Sequence, residues 1–171
     1  MMAQAAAQDF LLPVLDGQED APQILTFRLG QTVFGIDVRH VREVLDVTPI
    51  TPVANAPASL VGMVDVRHEG VPVVDLKHKL RMGDTTGGGS DTRIVVLEIG
   101  AGDAPQVIAI IADAVLEVVE HDPATLESPP RFGEAWDASF IRGIGRRDQE
   151  FMTLLDIEAV FRPRDGMFDG G

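Results

Sequence analysis

The chain contains an imperfect internal repeat that restricts the folds open to it. Residues 62–76 read GMVDVRHEGVPVVDL, and residues 143–157 read GIGRRDQEFMTLLDI. Each copy begins with Gly, passes through a polar turn, enters an apolar run and ends in Asp followed by Leu or Ile. The copies are offset by 81 positions in a chain of 171 residues. The repeat predicts two related half-domains, each closed by the same strand–turn–strand unit and a capping aspartate.

A weaker similarity joins the segments that precede these units. Val41-Arg42-Glu43-Val44 resembles Val115-Leu116-Glu117-Val118 at an offset of 74 positions. The two offsets differ, which indicates an insertion or deletion between the halves. Across the chain, short runs rich in Val and Ile alternate with turn residues and predict about ten strands with little helix, typical of a barrel or sandwich. The strands with the clearest pattern are 24–29, 32–38, 60–66, 71–74, 93–99, 106–112 and 115–120.

Three local predictions depend on single residues. Residues 40–47 fit either a bent strand or a helical turn. The first repeat unit is expected to turn around His68-Glu69-Gly70, with Gly70 supplying a permissive backbone. Asp75 and Asp156 are each expected to cap a short helix that follows a strand.

The composition divides the chain into one domain and two tails. Residues 22–162 are expected to form the domain, with a flexible Gly/Ser/Thr-rich loop at 81–92 between the repeats. Residues 1–21 and 163–171 are expected to be flexible tails. Within the first tail, Phe10-Leu11-Leu12 is interpreted as a small apolar cluster that docks loosely rather than as a binding motif.

The charge and the absence of cysteine exclude several functions. The formal net charge is −13, which disfavours nucleic acid and plain docking to anionic lipid. The chain has no Cys, so disulfides, thiolate zinc sites and a Cys nucleophile are excluded. No apolar run approaches the roughly 20 residues of a membrane-spanning helix, and no signal peptide is recognisable. These features fit a cytoplasmic protein that does not insert into a membrane.

No residue pattern predicts catalysis, a metal site or a cofactor. The four histidines lack ligand spacing, and surface positions explain them better. No G-x-S-x-G motif is present. Helix capping explains Asp75 and Asp156 better than acid–base chemistry does, and 87–89 reads as a linker rather than a phosphate loop.

Two charged residues leave their role open. Arg67 follows an apolar strand and is either a solvated turn residue or an arginine that faces a partner, a residue type enriched at interface hot spots. Glu43 is a single acid among apolar residues. It is either a guard against aggregation on an edge strand or a contact residue.

Many short motifs, in order and at the right spacing, resemble the CheW family of bacterial chemotaxis, and the resemblance spans roughly residues 22–162. In the first half they are Phe27, Gly35-Ile36-Asp37-Val38, Val41-Arg42-Glu43-Val44, Ile50-Thr51-Pro52-Val53, Ala56-Pro57, Leu60-Val61-Gly62, Arg67 and Val71-Pro72-Val73-Val74-Asp75-Leu76. In the second half they are Asp113-Ala114-Val115-Leu116-Glu117-Val118, Pro129-Pro130, Ile141-Arg142-Gly143-Ile144 and Leu154-Leu155-Asp156-Ile157.

The resemblance implies a mainly β fold of two SH3-like five-stranded barrels around a shared hydrophobic centre, with short helices at the barrel ends. It implies an adaptor without catalytic activity that links the cytoplasmic tips of chemoreceptors to the regulatory domain of the histidine kinase CheA, in clusters at the membrane. Association of several copies in rings is a further expectation. The implied receptor contacts are Val41, Glu43, Gly62 and Arg67. The implied kinase-facing surfaces lie on the first lobe and, on the second lobe, near Arg131 and Phe132.

The chain departs from the family at one place. The family usually reads Asn-Leu-Arg-Gly where this chain has Asp65-Val66-Arg67-His68. If that Gly normally has a positive φ, His68 carries strain or the turn is rebuilt. Asp65 is expected to be able to pair with Arg67 and reduce its availability. The departure leaves open an adaptor of a chemosensory pathway other than chemotaxis. A small β-barrel enzyme with a ligand between the lobes is disfavoured because no catalytic pattern is present.

Overall fold

The computed structural model describes residues 22–82, 89–100, 105–128 and 139–161. These residues form ten strands, two one-turn α-helices and two short 3-10 helices. The strands are β1 (Gln23–Leu29), β2 (Thr32–Asp37), β3 (Val41–Asp46), β4 (Leu60–Val66), β5 (Glu69–Val74), β6 (Arg93–Ile99), β7 (Gln106–Ala112), β8 (Ala114–Glu120), β9 (Ile141–Arg147) and β10 (Glu150–Leu155). The helices are α1 (Leu76–Lys79), α2 (Ile157–Val160) and the 3-10 helices Val38–His40 and Pro123–Thr125.

The strands form two five-stranded sheets, and each sheet takes strands from both halves of the sequence. One sheet has the order β3-β6-β7-β5-β4 and is called the first lobe; the other has the order β8-β1-β2-β10-β9 and is called the second lobe. The mainly β, two-lobed fold is therefore confirmed. The two repeats, however, do not each build a lobe of their own. Each half passes its first hairpin to the other lobe, so the lobes share an identical strand order.

The pairing registers show that the exchange is pseudo-symmetric. β2 runs parallel to β10 through Gly35 and Leu154, and β7 runs parallel to β5 through Ala109 and Val73. The register of β1 with β8 shifts near Glu117, and the register of β3 with β6 shifts just before Glu43. Both edge strands are therefore bulged at the same place, and Glu43 and Glu117 occupy equivalent positions.

Three apolar clusters follow from this arrangement. The largest lies between the lobes and takes side chains from both sheets, including Phe27 of β1, Leu97 of β6 and Ile110 of β7. A smaller cluster fills each lobe, one around Val73 and one around Met152. Strands β1 and β6 are consequently buried on both faces, which explains their nearly unbroken apolar sequences.

The helix caps confirm the capping prediction. An oxygen of the Asp75 carboxylate accepts a hydrogen bond from the His78 backbone N–H at 3.2 Å, and Asp156 does the same for the Ala159 N–H at 3.1 Å. Each aspartate ends a strand and satisfies an N–H that the one-turn helix leaves unpaired. The repeat thus ends in the same structural device in both halves.

The structure settles the other local predictions. Residues 40–47 were expected to form either a bent strand or a helical turn, and the structure contains both. A 3-10 helix ends at His40, and strand β3 begins at the next residue. The expected turn around Gly70 is wrong, because β4 and β5 are joined by two residues and Gly70 lies inside β5. In the expected loop 81–92, Met82 packs against the central core, and residues 83–88 lie outside the described residues.

Asp37 and Arg39 fix the 3-10 helix that leads into β3. The Asp37 carboxylate is almost fully buried, accepts a hydrogen bond from the Arg39 N–H at 2.9 Å, and pairs with the Arg39 guanidinium at 2.7 Å. Burial alone would raise the pKa of Asp37, but the hydrogen bonds from Arg39 and its charge outweigh burial and hold the pKa below its ordinary value.

Replacing this carboxylate should make stability less sensitive to acid. The stabilisation from Asp37 is complete above the pKa of the unfolded carboxyl, about 4, and is lost as the pH falls through the lower folded pKa. We expect Asp37→Asn to cost roughly 1–3 kcal/mol at pH 7. Urea unfolding of both proteins should show this difference narrowing below about pH 4. The exposed Asp91→Asn serves as control, and a difference that stays constant with pH would contradict the assignment.

Candidate protein-interaction site

Ion pairs connect edge strand β3 of the first lobe to the β4–β5 hairpin. The Arg67 Nη2 lies 2.8 Å from the Glu43 Oε1, and the Arg42 Nη1 lies 4.0 Å from the Glu69 Oε1. β3 and β4 stand at opposite ends of the strand order, so these contacts bring the two edges of the sheet together. Glu43 and Arg67, both predicted as receptor contacts, thus form one feature, called here the first-lobe seam.

The second lobe has an equivalent seam with a different environment. The Arg147 Nε lies 3.0 Å from the Glu117 Oε2, and its Nη1 lies 3.5 Å from Glu150, which Arg28 also contacts. The Arg147 side chain is 18% exposed, whereas that of Arg67 is 80% exposed. One seam therefore encloses its arginine in a network of charges, and the other presents its arginine to solvent.

The partner of Arg67 corrects one prediction. Asp65 was expected to compete for Arg67, but the arginine reaches across the seam to Glu43 instead. Glu43 is a residue of edge strand β3, and its side chain is only 17% exposed. The ion pair uses a single hydrogen bond from Nη2, so most of the five guanidinium N–H donors of Arg67 stay available.

The β4–β5 turn places both of its central residues in the left-handed region. Arg67 has φ 54° and His68 has φ 70°, as a two-residue type I′ hairpin turn requires. The predicted strain at His68 is therefore present, because Gly or Asn normally supplies these angles. In the second lobe, Asp148 has φ 56° while Gln149 is not among the residues with positive φ. The strained pair belongs to the hairpin that carries Arg67.

Gly62 makes room for a neighbouring chain segment. Thr51 forms two backbone hydrogen bonds of 2.8 Å with Met63, and a Cβ at Gly62 would collide with the Thr51 carbonyl oxygen. Gly143 has the same role beside Glu127 in the second lobe, with hydrogen bonds of 2.8 and 2.9 Å between Glu127 and Ile144. The position predicted as a receptor contact is thus a place of close backbone approach, and any contact there would involve backbone.

Val41 is buried, and a group of exposed valines lies near it in sequence. The Val41 side chain packs in the central cluster, and Val41 precedes Glu43 by two residues. Val47, Val53 and Val61 are exposed, and an isolated antiparallel bridge joins Thr51 to Met63 of β4. These valines were not among the predicted contact residues. Apolar residues in strands and extended segments are as often buried as exposed, so the sequence gives no signal of their exposure.

Two of the predicted contact residues lie outside the described part of the chain. Arg131 and Phe132, the residues predicted to face the kinase, are not among the described residues. Within 22–82, 89–100, 105–128 and 139–161, no group of three or more His, Cys, Asp or Glu side chains is arranged to hold a metal. No helix in these ranges is long and apolar enough to cross a membrane. His121 departs from the expectation of a surface histidine, because its ring packs against Gly145.

The fold and the site together define a class of protein. Two strand-exchanged β-lobes expose an arginine at a hairpin turn and apolar valines along a neighbouring edge. Exposed apolar side chains and exposed arginines are both typical of surfaces that bind proteins. The fold and the exposed side chains are therefore those of a protein-binding module.

Comparison with known proteins agrees with this class and names the family. A family model described as CheW-like domain matches residues 23–164. The chemotaxis protein CheW of Treponema pallidum is 27% identical over 146 residues, covering 84% of each chain, and that of Klebsiella aerogenes is 28% identical over 146 residues, covering 85% of each. The crystal structure of the scaffolding protein TtCheW from Thermoanaerobacter tengcongensis superposes with a TM-score of 0.74 at 28% identity, covering 86% of this chain and 92% of that one.

The chain belongs to the CheW-like domain family. The resemblance drawn from the sequence is confirmed, and with it the assignment to the adaptor and scaffolding proteins of chemotaxis.

Relieving the strain at His68 should stabilise the domain. We expect His68→Gly to raise the free energy of unfolding by about 0.5–1 kcal/mol, because Gly adopts a positive φ without steric cost. Gln149→Gly at the equivalent position should be neutral or destabilising, since its backbone is not left-handed. Urea denaturation of the two variants beside the parent chain measures this. Equal effects at both positions would rule out strain as the cause.

The two seams should differ in their contribution to stability. We expect Arg147→Ala to cost roughly 1–3 kcal/mol, because it removes a largely buried side chain and leaves Glu117 without this partner, although Glu150 keeps Arg28. Arg67→Ala should cost less than about 1 kcal/mol, as for exposed ion pairs. Thermal and urea unfolding would compare them directly. Equal losses of unfolding free energy in the two variants would show that the greater burial of Arg147 does not increase its contribution to stability.

Proposed function

We propose that this chain is a non-catalytic adaptor that binds a chemoreceptor tip and the regulatory domain of a CheA-type histidine kinase at the same time. Receptor conformation would then bias kinase activity through two interfaces, with no chemistry on the adaptor itself. The kinase and the receptor are proposed from the family, and several copies would associate in rings. The protein would work in the cytoplasm at membrane-associated receptor clusters.

The observation that carries the receptor assignment is the exposure of Arg67. Its guanidinium is held in place by Glu43 yet remains 80% exposed, with free donors that fit carboxylates or backbone carbonyls of a helical tip. A positioned arginine loses less side-chain entropy on binding than a free one. The exposed Val61 lies on β4, six residues before Arg67, and adds exposed apolar area to the same strand. Glu43 acts in this proposal by positioning Arg67, and Val41 and Gly62 act by shaping the backbone.

The kinase-facing surfaces are proposed from the family resemblance alone. They are a surface of the first lobe and the region of Arg131 and Phe132 on the second lobe. Two separate surfaces on a rigid body let the adaptor bind both partners at once, because the central cluster fixes the lobes relative to each other.

Charge reversal at the seam tests the receptor surface. We expect Arg67→Glu to weaken co-sedimentation with receptor–kinase membranes at least roughly tenfold while the domain stays folded, since interface arginines are often hot spots. The matched control is Arg81→Glu, another exposed arginine with a positive φ. Folding is checked by circular dichroism of each variant.

A double variant distinguishes a role of Arg67 in receptor binding from a role in stabilising the fold. Glu43→Arg combined with Arg67→Glu restores an ion pair across the seam but removes the exposed cation. We expect this double variant to remain as defective in receptor binding as Arg67→Glu. Recovery of binding would show that Arg67 serves only the fold, and undiminished binding by the single variant would overturn the assignment. Affinity purification from the host, with identification of the bound kinase, distinguishes chemotaxis from another chemosensory pathway.

A further inference from the structure

The outer face of the β9–β10 hairpin carries a basic and aromatic surface. The Arg146 guanidinium lies 4.6 Å from the centre of the Phe151 ring, and the two residues are direct cross-strand partners. The Phe151 side chain is the most exposed large apolar residue of the described chain, at 59%. Arg142, at the register shift near the start of β9, is also exposed. On a chain with net charge −13, two exposed arginines beside an exposed Phe form an unusual surface.

A groove adjoins this surface. It has a volume of about 180 Å³ and is lined by His121, Thr125, Glu127, Ile144, Arg146 and Phe151, with Gly145 at its base. The first lobe has a buried valine, Val64, at the position equivalent to Gly145. Because Gly145 lacks a side chain, the His121 ring occupies that space, with its Nε2 2.5 Å from where a Cβ would lie. The groove is thus specific to the second lobe.

The segment that precedes the domain starts directly beside the groove. The Pro22 carbonyl accepts a hydrogen bond of 3.0 Å from the His121 backbone N–H, and Gln23 pairs with Glu120. Among the described residues, the Gln23 Oε1 and the His121 Nδ1 are buried side-chain atoms without a hydrogen-bond partner. A polar group that reaches an unpaired buried polar atom satisfies it, which favours the placement of that group there.

The preceding sequence is complementary to this surface. Residues 9–20 read DFLLPVLDGQED and contain four carboxylates, five large apolar residues and no Lys or Arg. Pro22 lies ten positions after Leu12, which allows a reach of up to about 33 Å when extended. A covalently linked segment is also present at an effective concentration in the millimolar range, which favours it over a free peptide of the same sequence.

We propose that residues 9–20 of the same chain dock on the outer face of the β9–β10 hairpin and in the adjoining groove. Phe10, Leu11 and Leu12 cover Phe151, and the carboxylates lie beside Arg142 and Arg146. The proposal is independent of the receptor-binding function of the first lobe.

The first lobe provides an internal control. Its positions equivalent to Arg146 and Phe151 are Asp65 and Gly70, an acid and a residue without a side chain. The acidic segment is therefore expected to avoid the first-lobe hairpin, although both hairpins have the same backbone arrangement.

Paramagnetic relaxation in the full-length chain tests the proposal. The chain contains no Cys, so Gln8→Cys provides a unique site for a nitroxide label. We expect the label to broaden the amide signals of Arg146, Phe151 and Glu127 at least several-fold more than those of Asp65, Gly70 and Thr51. The preference should disappear with Phe10→Ser, Leu11→Ser and Leu12→Ser combined, and also with Arg146→Glu and Phe151→Ser combined. Dispersed amide spectra confirm that both variants are folded.

Three outcomes would overturn the proposal. They are equal broadening of the two hairpins, a second-lobe preference that survives both variants, and broadening that appears in a mixture of labelled chain with unlabelled ¹⁵N chain. The last result would identify a second copy as the occupant. Broadening that is confined to the second lobe, is independent of protein concentration and is lost in both variants would support docking within one chain.

Discussion

The exchange of hairpins between the lobes is the constraint on which the rest of the structure depends. β1 and β2 complete the second lobe, while β6 and β7 complete the first, so neither half of the sequence can close a sheet by itself. The central strands bury one face in their own lobe and the other in the cluster that the lobes share. Burial of this apolar area is the main favourable term in folding, and it is obtained only when both halves fold together. The molecule is therefore one rigid body with two pseudo-equivalent surfaces.

Pseudo-symmetry makes the differences between the lobes informative. Both edge strands are bulged beside a glutamate, and both glutamates bind an arginine across the seam. In the second lobe the arginine lies in the strand and is enclosed; in the first it lies one position later, in the turn, and is exposed. A one-residue shift thus converts a structural ion pair into a presented cation. Both lobes have the same strand order, so folding alone does not require the arginines to differ in exposure. The difference therefore indicates a function for the exposed arginine.

The sequence predicted what depends on local pattern, and it failed where contacts join distant segments. Apolar runs and capping aspartates identified the strands and the two short helices because these signals lie within a few residues. The β4–β5 turn was wrongly assigned to Gly70. The turn is formed instead by Arg67 and His68, two non-Gly residues that adopt a positive φ. The partner of Arg67 was also missed. Asp65 is near in sequence, but Glu43 is near in space, and only the curvature of the sheet brings β3 to β4.

The position of β3 explains how a surface event at the seam can reach the centre of the molecule. Val41 packs in the shared cluster, and Glu43, two residues later and beyond the bulge, holds Arg67 at the surface. A partner that pulls on Arg67 therefore acts on a strand whose other end is fixed between the lobes. Close-packed interiors are stiff and transmit such strain rather than absorb it. A scaffolding protein needs this property, because it communicates through the relative position of the surfaces it offers.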